Sequence, residues 1–200
     1  MAGRRVTAGG SATADRISAV ALRLLAVHGY AGVSMEDIRR DAEVSNGSLY
    51  HHFRTRADLV ARLLVEAMTE VQDRALQHVD APDDAEAVVR GVVRAQLEWV
   101  EHHPDRARLV YGELPDEVLL AAEPHFSSRN RAYVTAMRGW LEQQMARETL
   151  IRRPFGVAHA LWAGPTQEFC RHWLHGRSRL SPSDVTDDLA AGAWAALVLR

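Results

Sequence analysis

VSNGSLYHHF, residues 44–53, admits two readings. Asn46-Gly47 is a hairpin dipeptide when strands flank it, and Leu49-Tyr50-His51-His52-Phe53 then forms a short strand. The same run opens a helix if Ser45 caps it. Leu49 and Phe53 lie four apart and share a face of a helix; as a strand they also share a face, with His51 between them on it. The ten residues leave both readings open, and the neighbours choose between them.

Upstream, Ile17, Val20, Ala21, Leu24 and Leu25 recur at three- and four-residue spacing, the apolar stripe of a helix. That helix is expected from a cap at Thr13 to His28, with Gly29 in the left-handed position that ends it. Ser34, followed three residues later by Asp37, approximates a capping box, and Glu36 and Asp37 suit a helix N-terminus. Met35, Ile38 and Ala42 give this second, short helix its inward face. Val44 then sits as the apolar residue before a cap at Ser45. Downstream, Leu59, Leu63, Leu64 and Ala67 mark one side of a helix starting near Arg56. With helices on both sides, 44–53 is a turn into a third short helix.

The rest of the chain continues the pattern, punctuated by proline. Helices are expected from about Thr55 to His78, closed off by Pro82, and from Asp83 to His102. Others run over Arg106–Leu114, from Pro124 through Met145, from Phe155 to about His175 with a kink at Pro165, and from Ser183 to the chain end. The fold class is all-α. Three divisions follow: a flexible N-terminal arm over 1–12, a helix-turn-helix module over 13–55, and a helical ligand-binding and dimerisation domain over 56–200.

The 200 residues carry a formal charge of −2, so no global positive field announces a nucleic-acid partner. All 24 basic residues are arginine, whose rigid donor fork suits carboxylates and phosphates. Cys170 is the single cysteine, which excludes an internal disulfide and cysteine-rich zinc sites and reads as a buried small hydrophobe. The first residues contain no signal-peptide pattern, and no apolar run reaches the roughly 20 residues of a membrane span. A cytoplasmic compartment and no membrane partner are the expectation.

A rigid second helix that enters the major groove while its other side packs on the module is the physical requirement of a helix-turn-helix. Leu49 and Phe53 anchor it, leaving Asn46, Ser48, Tyr50, His51 and His52 as candidates for the outer side. Asn and Ser can read bases or hold phosphate, a Tyr hydroxyl can donate to phosphate, and Arg54 and Arg56 stand just beyond.

Residues 13–60 resemble the DNA-binding domain of the TetR family of transcriptional regulators. The resemblance rests on the run from Ile38 through Val44-Ser45, Gly47-Ser48-Leu49-Tyr50 and Phe53, then Arg56 and Leu59. It implies a homodimer whose two modules enter successive major grooves of a near-palindromic double-stranded operator. It further implies that the C-terminal helices hold a small molecule whose binding releases DNA, repression being the family habit. By the same resemblance Tyr50 and Arg56 touch phosphate, Ser34, Ser45 and Ser48 cap helices or touch the DNA backbone, and Asn46 and His51 lie at the DNA face. The sequence departs from the family pattern at Arg39, where a small alanine is usual, and at Glu43, where the turn usually has glycine. Arg39 is expected to reach solvent or phosphate. Glu43 costs about 1 kcal/mol if the turn is left-handed there.

In the C-terminal part, Met68, Trp99, Tyr111, Tyr133, Met137 and Trp162 are the candidate pocket walls, with Gln96 or His103 supplying polarity for an apolar or aromatic effector. The last two helices carry more apolar surface than one helical layer buries, which points to a partner. Ala158, Leu161, Pro165, Phe169, Trp173, Leu189, Ala193, Trp194 and Leu197 are the candidates, and by resemblance they form the dimer interface. Trp162 can face either the pocket or that interface.

Catalysis is not expected, nor is a cofactor or metal. Adjacent histidines at 51–52 and 102–103 diverge by about 100° on a helix and do not converge on one ion, and no catalytic fingerprint is present. The alternative is a helical dimer that binds a ligand or protein without DNA, because Glu43 brings negative charge close to the expected DNA surface.

Overall fold

The computed structural model describes residues 8–81 and 84–199, with side chains from Ala12 onward. Among these are nine helices: α1 Ala8–His28, α2 Met35–Asp41, α3 Asn46–His52, α4 Arg56–Val79, α5 Ala85–His102, α6 Pro104–Tyr111, α7 Asp116–Ala146, α8 Phe155–Leu174 and α9 Pro182–Leu197. The described residues include no strand. A single antiparallel bridge, Leu150 to Val198, ties the α7–α8 connection to the end of α9. No described helix is long and apolar enough to cross a membrane.

Local chemistry accounts for most of the boundaries. Ser34, Thr55 and Ser181 each close a reciprocal capping box with the aspartate three residues on, and Ser45 and Asp84 accept from the third backbone N–H of α3 and α5. Gly29 and Gly176 take φ near +67° and +69° where α1 and α8 end, a conformation that costs glycine nothing.

Three helices differ in their boundaries from those read along the chain: α1, α7 and α6, which spans Pro104–Tyr111 rather than Arg106–Leu114. Helix α1 begins at Ala8 rather than at a Thr13 cap, so of the expected arm over 1–12 only residues 1–7 lie outside the described residues. Pro82 and Asp83, the expected stop and start, also lie outside them. Helix α7 begins at Asp116, and Pro124 sits inside it rather than opening it. The proline forfeits one backbone bond to Leu120, and that turn is open to solvent: Leu120 is 67% exposed. Helix α8 likewise continues through Pro165.

The apolar side chains form two clusters. One gathers α1, α2, α3 and the start of α4, with Leu109 of α6 and Val118 and Ala122 of α7 packed against it. The other fills the space between the rest of α4 and α5–α9, centred on Leu97, Trp99, Met137, Leu141 and Trp162. Helix α4 contributes to both, and at about 1.5 Å per residue its 24 residues form a rod of roughly 36 Å linking them.

Cys170 lies in the second cluster with no exposure, and burial pushes its thiol up to about 12. At neutral pH it is a protonated, enclosed thiol. A thiol reagent is therefore expected to label it only as fast as the domain unfolds, with rapid labelling added by urea; labelling within seconds in buffer contradicts this placement.

Candidate nucleic-acid interface and ligand cavity

Helices α2 and α3 are seven residues each, too short to hold their shape without tertiary support. Their caps and anchors supply it. The Ser34 hydroxyl accepts from the Asp37 backbone at 3.1 Å and donates to its carboxylate at 2.5 Å, and the Ser34 backbone N–H donates to the same carboxylate at 3.0 Å. The Ser45 hydroxyl accepts from the Ser48 backbone at 3.1 Å. Leu49 and Phe53 are 1% and 3% exposed and seat α3 on the module core.

That phase turns the other side of α3 outward. Asn46, Tyr50 and His51 are exposed and Ser48 is half-buried; Arg54 follows the helix, exposed. Among the described residues the side chains of Asn46, Tyr50 and Arg54 have no hydrogen-bond or ion-pair partner. His51 packs edge-on against His52, centroids 5.2 Å apart.

The turn between α2 and α3 runs through Glu43 at φ +51°, the left-handed region that disfavours side chains. Arg39 holds the turn from outside: its guanidinium makes two bonds to the Glu36 carboxylate, at 2.6 and 2.8 Å, and one to the Val44 carbonyl at 3.3 Å. Arg39 is thus folded back over the turn instead of reaching out for phosphate. Replacing Glu43 by glycine is expected to raise stability by about 0.5–1 kcal/mol, the relief of left-handed strain less the entropy glycine adds to the unfolded chain. A higher urea midpoint with unchanged slope checks it.

Arg56 is also engaged. Its Nη1 donates to the Tyr30 carbonyl at 3.0 Å and the Val33 carbonyl at 2.6 Å, its guanidinium lies 3.9 Å over the Tyr30 ring, and Nη2 is 4.0 Å from Glu117 of α7. The Tyr30 hydroxyl donates to the same Glu117 carboxylate at 2.6 Å. Burial and that bond raise the Tyr30 hydroxyl above its ordinary value, against the pull of Arg56. Arg56 therefore clamps the α1–α2 connection to α4 and, through Glu117, to the first turn of α7. Sequence spacing could not have revealed this clamp, because Tyr30 and Glu117 are remote in the chain.

Behind the module, α4–α8 enclose a cavity of about 410 Å³. Met68, Gln96, Tyr111, Tyr133, Met137 and Trp162 line it, six of the eight pocket candidates. Trp162 is 1% exposed, its indole N–H donates to the Val89 carbonyl at 3.0 Å, and its ring packs 5.2 Å from that of Trp140. It faces the cavity and the core. Trp99 and His103 are elsewhere: the Trp99 indole donates to Glu70 of α4 at 3.2 Å with its ring wholly buried, and His103 packs on it at the α5–α6 corner.

The cavity walls also include residues that the apolar pattern did not single out, among them Val71, Gln72, Asn130, Phe155, His159, Gln167 and Arg171. The polar ones carry no apolar-periodicity signal. Gln96 donates to the Tyr111 hydroxyl at 2.9 Å, and Gln72 donates to Asn130 at 3.1 Å. Burial pushes the Tyr111 and Tyr133 hydroxyls up and His159 down, so the tyrosines stay protonated and His159 neutral near pH 7. A second cavity of about 580 Å³ adjoins across Met68 and Val110 and extends to Leu114 and Leu119, on either side of Glu117.

On α8 and α9 the buried stripe is Ala158, Trp162, Thr166 and Cys170 facing Ala190, Ala193 and Leu197. Ala158, Ala193 and Leu197 are 0%, 4% and 1% exposed and belong to the chain's own core, which removes them from the candidate interface. Pro165 is exposed, and Leu161, Phe169, Trp173, Leu189 and Trp194 are half-buried; Val157, 45% exposed, extends the outer face of α8. Both helices are apolar around most of their circumference, so their phase was not readable from composition.

Among the described residues no group of three or more His, Cys, Asp or Glu side chains is placed to hold a metal ion.

Two capped short helices at a tight turn, braced by α1 and α4 and followed by a cavity-bearing helical domain, define a helix-turn-helix protein. Residues 17–63 match the model of the bacterial regulatory proteins of the tetR family. That segment is the helix-turn-helix module, so the similarity to the TetR family is carried by the N-terminal part of the chain. The chain is 29% identical over 108 residues to the HTH-type transcriptional repressor KstR2 of Mycobacterium tuberculosis, a match covering 54% of this chain and 52% of KstR2. The chain thus spans about half the length of the curated relatives it matches. The solved structure of that ketosteroid transcriptional regulator superposes with a TM-score of 0.71 at 22% identity, over 100% of this chain and 99% of the other. The Bacillus subtilis regulator FadR in complex with stearoyl-CoA superposes with a TM-score of 0.75 at 16% identity, over 91% and 98%. These proteins are transcriptional regulators.

Proposed function

We propose that this chain is a cytoplasmic, ligand-responsive transcriptional repressor that binds a near-palindromic operator as a homodimer and releases it when an apolar small molecule fills the α4–α8 cavity. The observation that carries this is α3 itself: Leu49 and Phe53 are buried while Asn46, Tyr50 and His51 stand exposed on the opposite side. Among the described residues the side chains of Asn46 and Tyr50 make no hydrogen bond or ion pair. The similarity to that family and the regulators named above support the same reading. So does the cavity, whose apolar walls suit a body like the acyl chain of the stearoyl-CoA that the Bacillus subtilis regulator holds.

In this reading Asn46, Ser48 and His51 face bases, while Tyr50 and Arg54 hold phosphate. Ser34, Ser45 and Arg39 shape the module from behind. The half-buried apolar side chains of α8 and α9, Leu161, Phe169, Trp173, Leu189 and Trp194, together with Pro165 and Val157, form the two-fold interface. Ligand in the cavity displaces α4 and α7, and the Arg56–Tyr30–Glu117 clamp carries that displacement to the α1–α2 connection.

Selection from a random DNA duplex library tests the reading. A symmetric sequence with half-sites about one helical turn apart is expected, bound in a salt-dependent manner. Recovery of no sequence, together with failure to retard DNA flanking the gene, would overturn it in favour of a helical dimer without DNA binding. Tyr50→Phe is expected to weaken binding severalfold on every selected sequence alike, whereas Asn46→Ala shifts which sequences are selected. An unchanged titration for Tyr50→Phe removes its hydroxyl as a phosphate donor.

A further inference from the structure

We propose that the two cavities form one elongated site, which takes a long unbranched apolar chain with a polar group at one end, and that Met68 sets the length of chain it holds. This presupposes that the α4–α8 cavity is the effector site. The cavities share Met68 of α4 and Val110 of α6 as walls, and they lie end to end along two helices. On α4, Leu64 and Met68 line the second cavity, and Met68, Val71 and Ala75 line the first. On α7, Leu119, Ala122 and Phe126 line the second, and Asn130, Tyr133 and Met137 line the first. Each series keeps three- and four-residue spacing, so each is a single stripe of its helix passing from one cavity into the other. From Leu119 to Met137 the α7 stripe is about 27 Å long, and either cavity alone has about 10 Å of it. Met68 stands half-buried at the junction. Its unbranched thioether can turn aside for a chain where an aromatic side chain would block the way.

Polarity gives the chain a direction. The first cavity holds the polar side chains Asn130, Tyr133, His159, Gln167 and Arg171 at its α7–α8 side. The Tyr133 hydroxyl has no partner among the described residues and donates equally well to an alcohol, a ketone or a carboxylate. In the second cavity the charged side chains are Glu113 and Glu123, and the remaining walls are apolar. A polar or anionic end therefore stays in the first cavity while the tail passes Met68 into the second. The tail then ends beside Leu114 and Leu119, on either side of the Glu117 that receives Tyr30 and Arg56.

Straight-chain alkanoates of increasing length test this, titrated by calorimetry below their micelle concentrations into the full chain without DNA. From the geometry of carbon–carbon bonds, an extended chain of about eight carbons matches one cavity's share of the stripe and one of about sixteen matches both. Affinity is expected to rise about threefold per added carbon, from octanoate through at least tetradecanoate. Met68→Trp is expected to end that rise at about eight to ten carbons. Leu64→Trp, which fills the second cavity from a position outside the first, is expected to do the same and serves if Met68→Trp does not fold. Hexadecanedioate is expected to bind about tenfold more weakly than hexadecanoate, because its second carboxylate is carried into apolar walls beside Glu113 and Glu123. A rise that stops near octanoate in the unaltered chain, a rise that continues in both tryptophan variants, or a dicarboxylate that binds as tightly overturns the elongated site and leaves the first cavity as the effector site. Binding at no chain length overturns the presupposed reading as well, and the absence of DNA keeps that failure separate from operator recognition.

Discussion

Trp162→Ala is expected to destabilise the chain by about 3–5 kcal/mol, the range for emptying a buried aromatic site. The side chain is 1% exposed, packs against Trp140 and donates to the Val89 carbonyl, which is left without its partner when the indole is removed. Because one side of the ring already borders a cavity, the walls have little to collapse onto, which favours the upper part of the range. Trp162→Phe keeps most of the ring area and loses the hydrogen bond, so a smaller cost of about 1–3 kcal/mol is expected. Urea unfolding measures both. The same pair separates a core position from an interface position: a core tryptophan changes the unfolding midpoint without changing its dependence on protein concentration, whereas an interface tryptophan changes that dependence. A loss below about 1 kcal/mol for Trp162→Ala contradicts the core assignment.

Arg56→Met is expected to cost about 2–3 kcal/mol, because the methionine keeps the apolar stem and removes two charge-assisted hydrogen bonds and the stack on Tyr30. The figure is kept below the sum for two such bonds because the side chain is 29% exposed. Arg56→Lys is not expected to restore it, since a compact ammonium cannot bond both carbonyls while lying flat on the ring. The family resemblance assigns this position a bond to phosphate, and operator binding distinguishes the two roles. Removing a cation that neutralises phosphate makes the slope of log affinity against log salt shallower by about one. With the guanidinium committed to Tyr30 and Val33, the slope is expected to stay unchanged while the unfolding midpoint falls. A shallower slope with unchanged stability overturns the clamp.

The contrast between Arg56 and Tyr50 shows how far local patterning reaches. Tyr50 is outward for a local reason: Leu49 and Phe53 set the phase of α3, and a residue one step from a buried one on a short helix points away. Arg56 depends on a carbonyl 26 positions earlier and a carboxylate on another helix. Arg39 is intermediate. Its bond to Glu36 is a local helix pair, but its hold on Val44 exists because the turn brings that carbonyl back over α2. Glu43, where a left-handed backbone was conditional on the shape of the turn, takes φ +51°.

By itself the sequence determined the all-α class, the capped short helices at Ser34 and Ser45, the inward pair Leu49 and Phe53, and the exposed Asn46, Tyr50 and His51 of α3, because each follows from interactions within three or four residues, though not that Ser48 and His52 are half-buried. The aromatic and sulfur side chains also pointed to five walls of the cavity, Met68, Tyr111, Tyr133, Met137 and Trp162, with Gln96 as a polar sixth. Only the tertiary structure decided that Trp162 faces the cavity, that Trp99 turns to Glu70, that Ala158, Ala193 and Leu197 are core, and that Gln72 and Asn130 meet across α4 and α7. The physical reason is the same in each case. A helix apolar around most of its circumference has no phase readable along the chain, and a polar side chain acquires its partner only when another helix is packed against it.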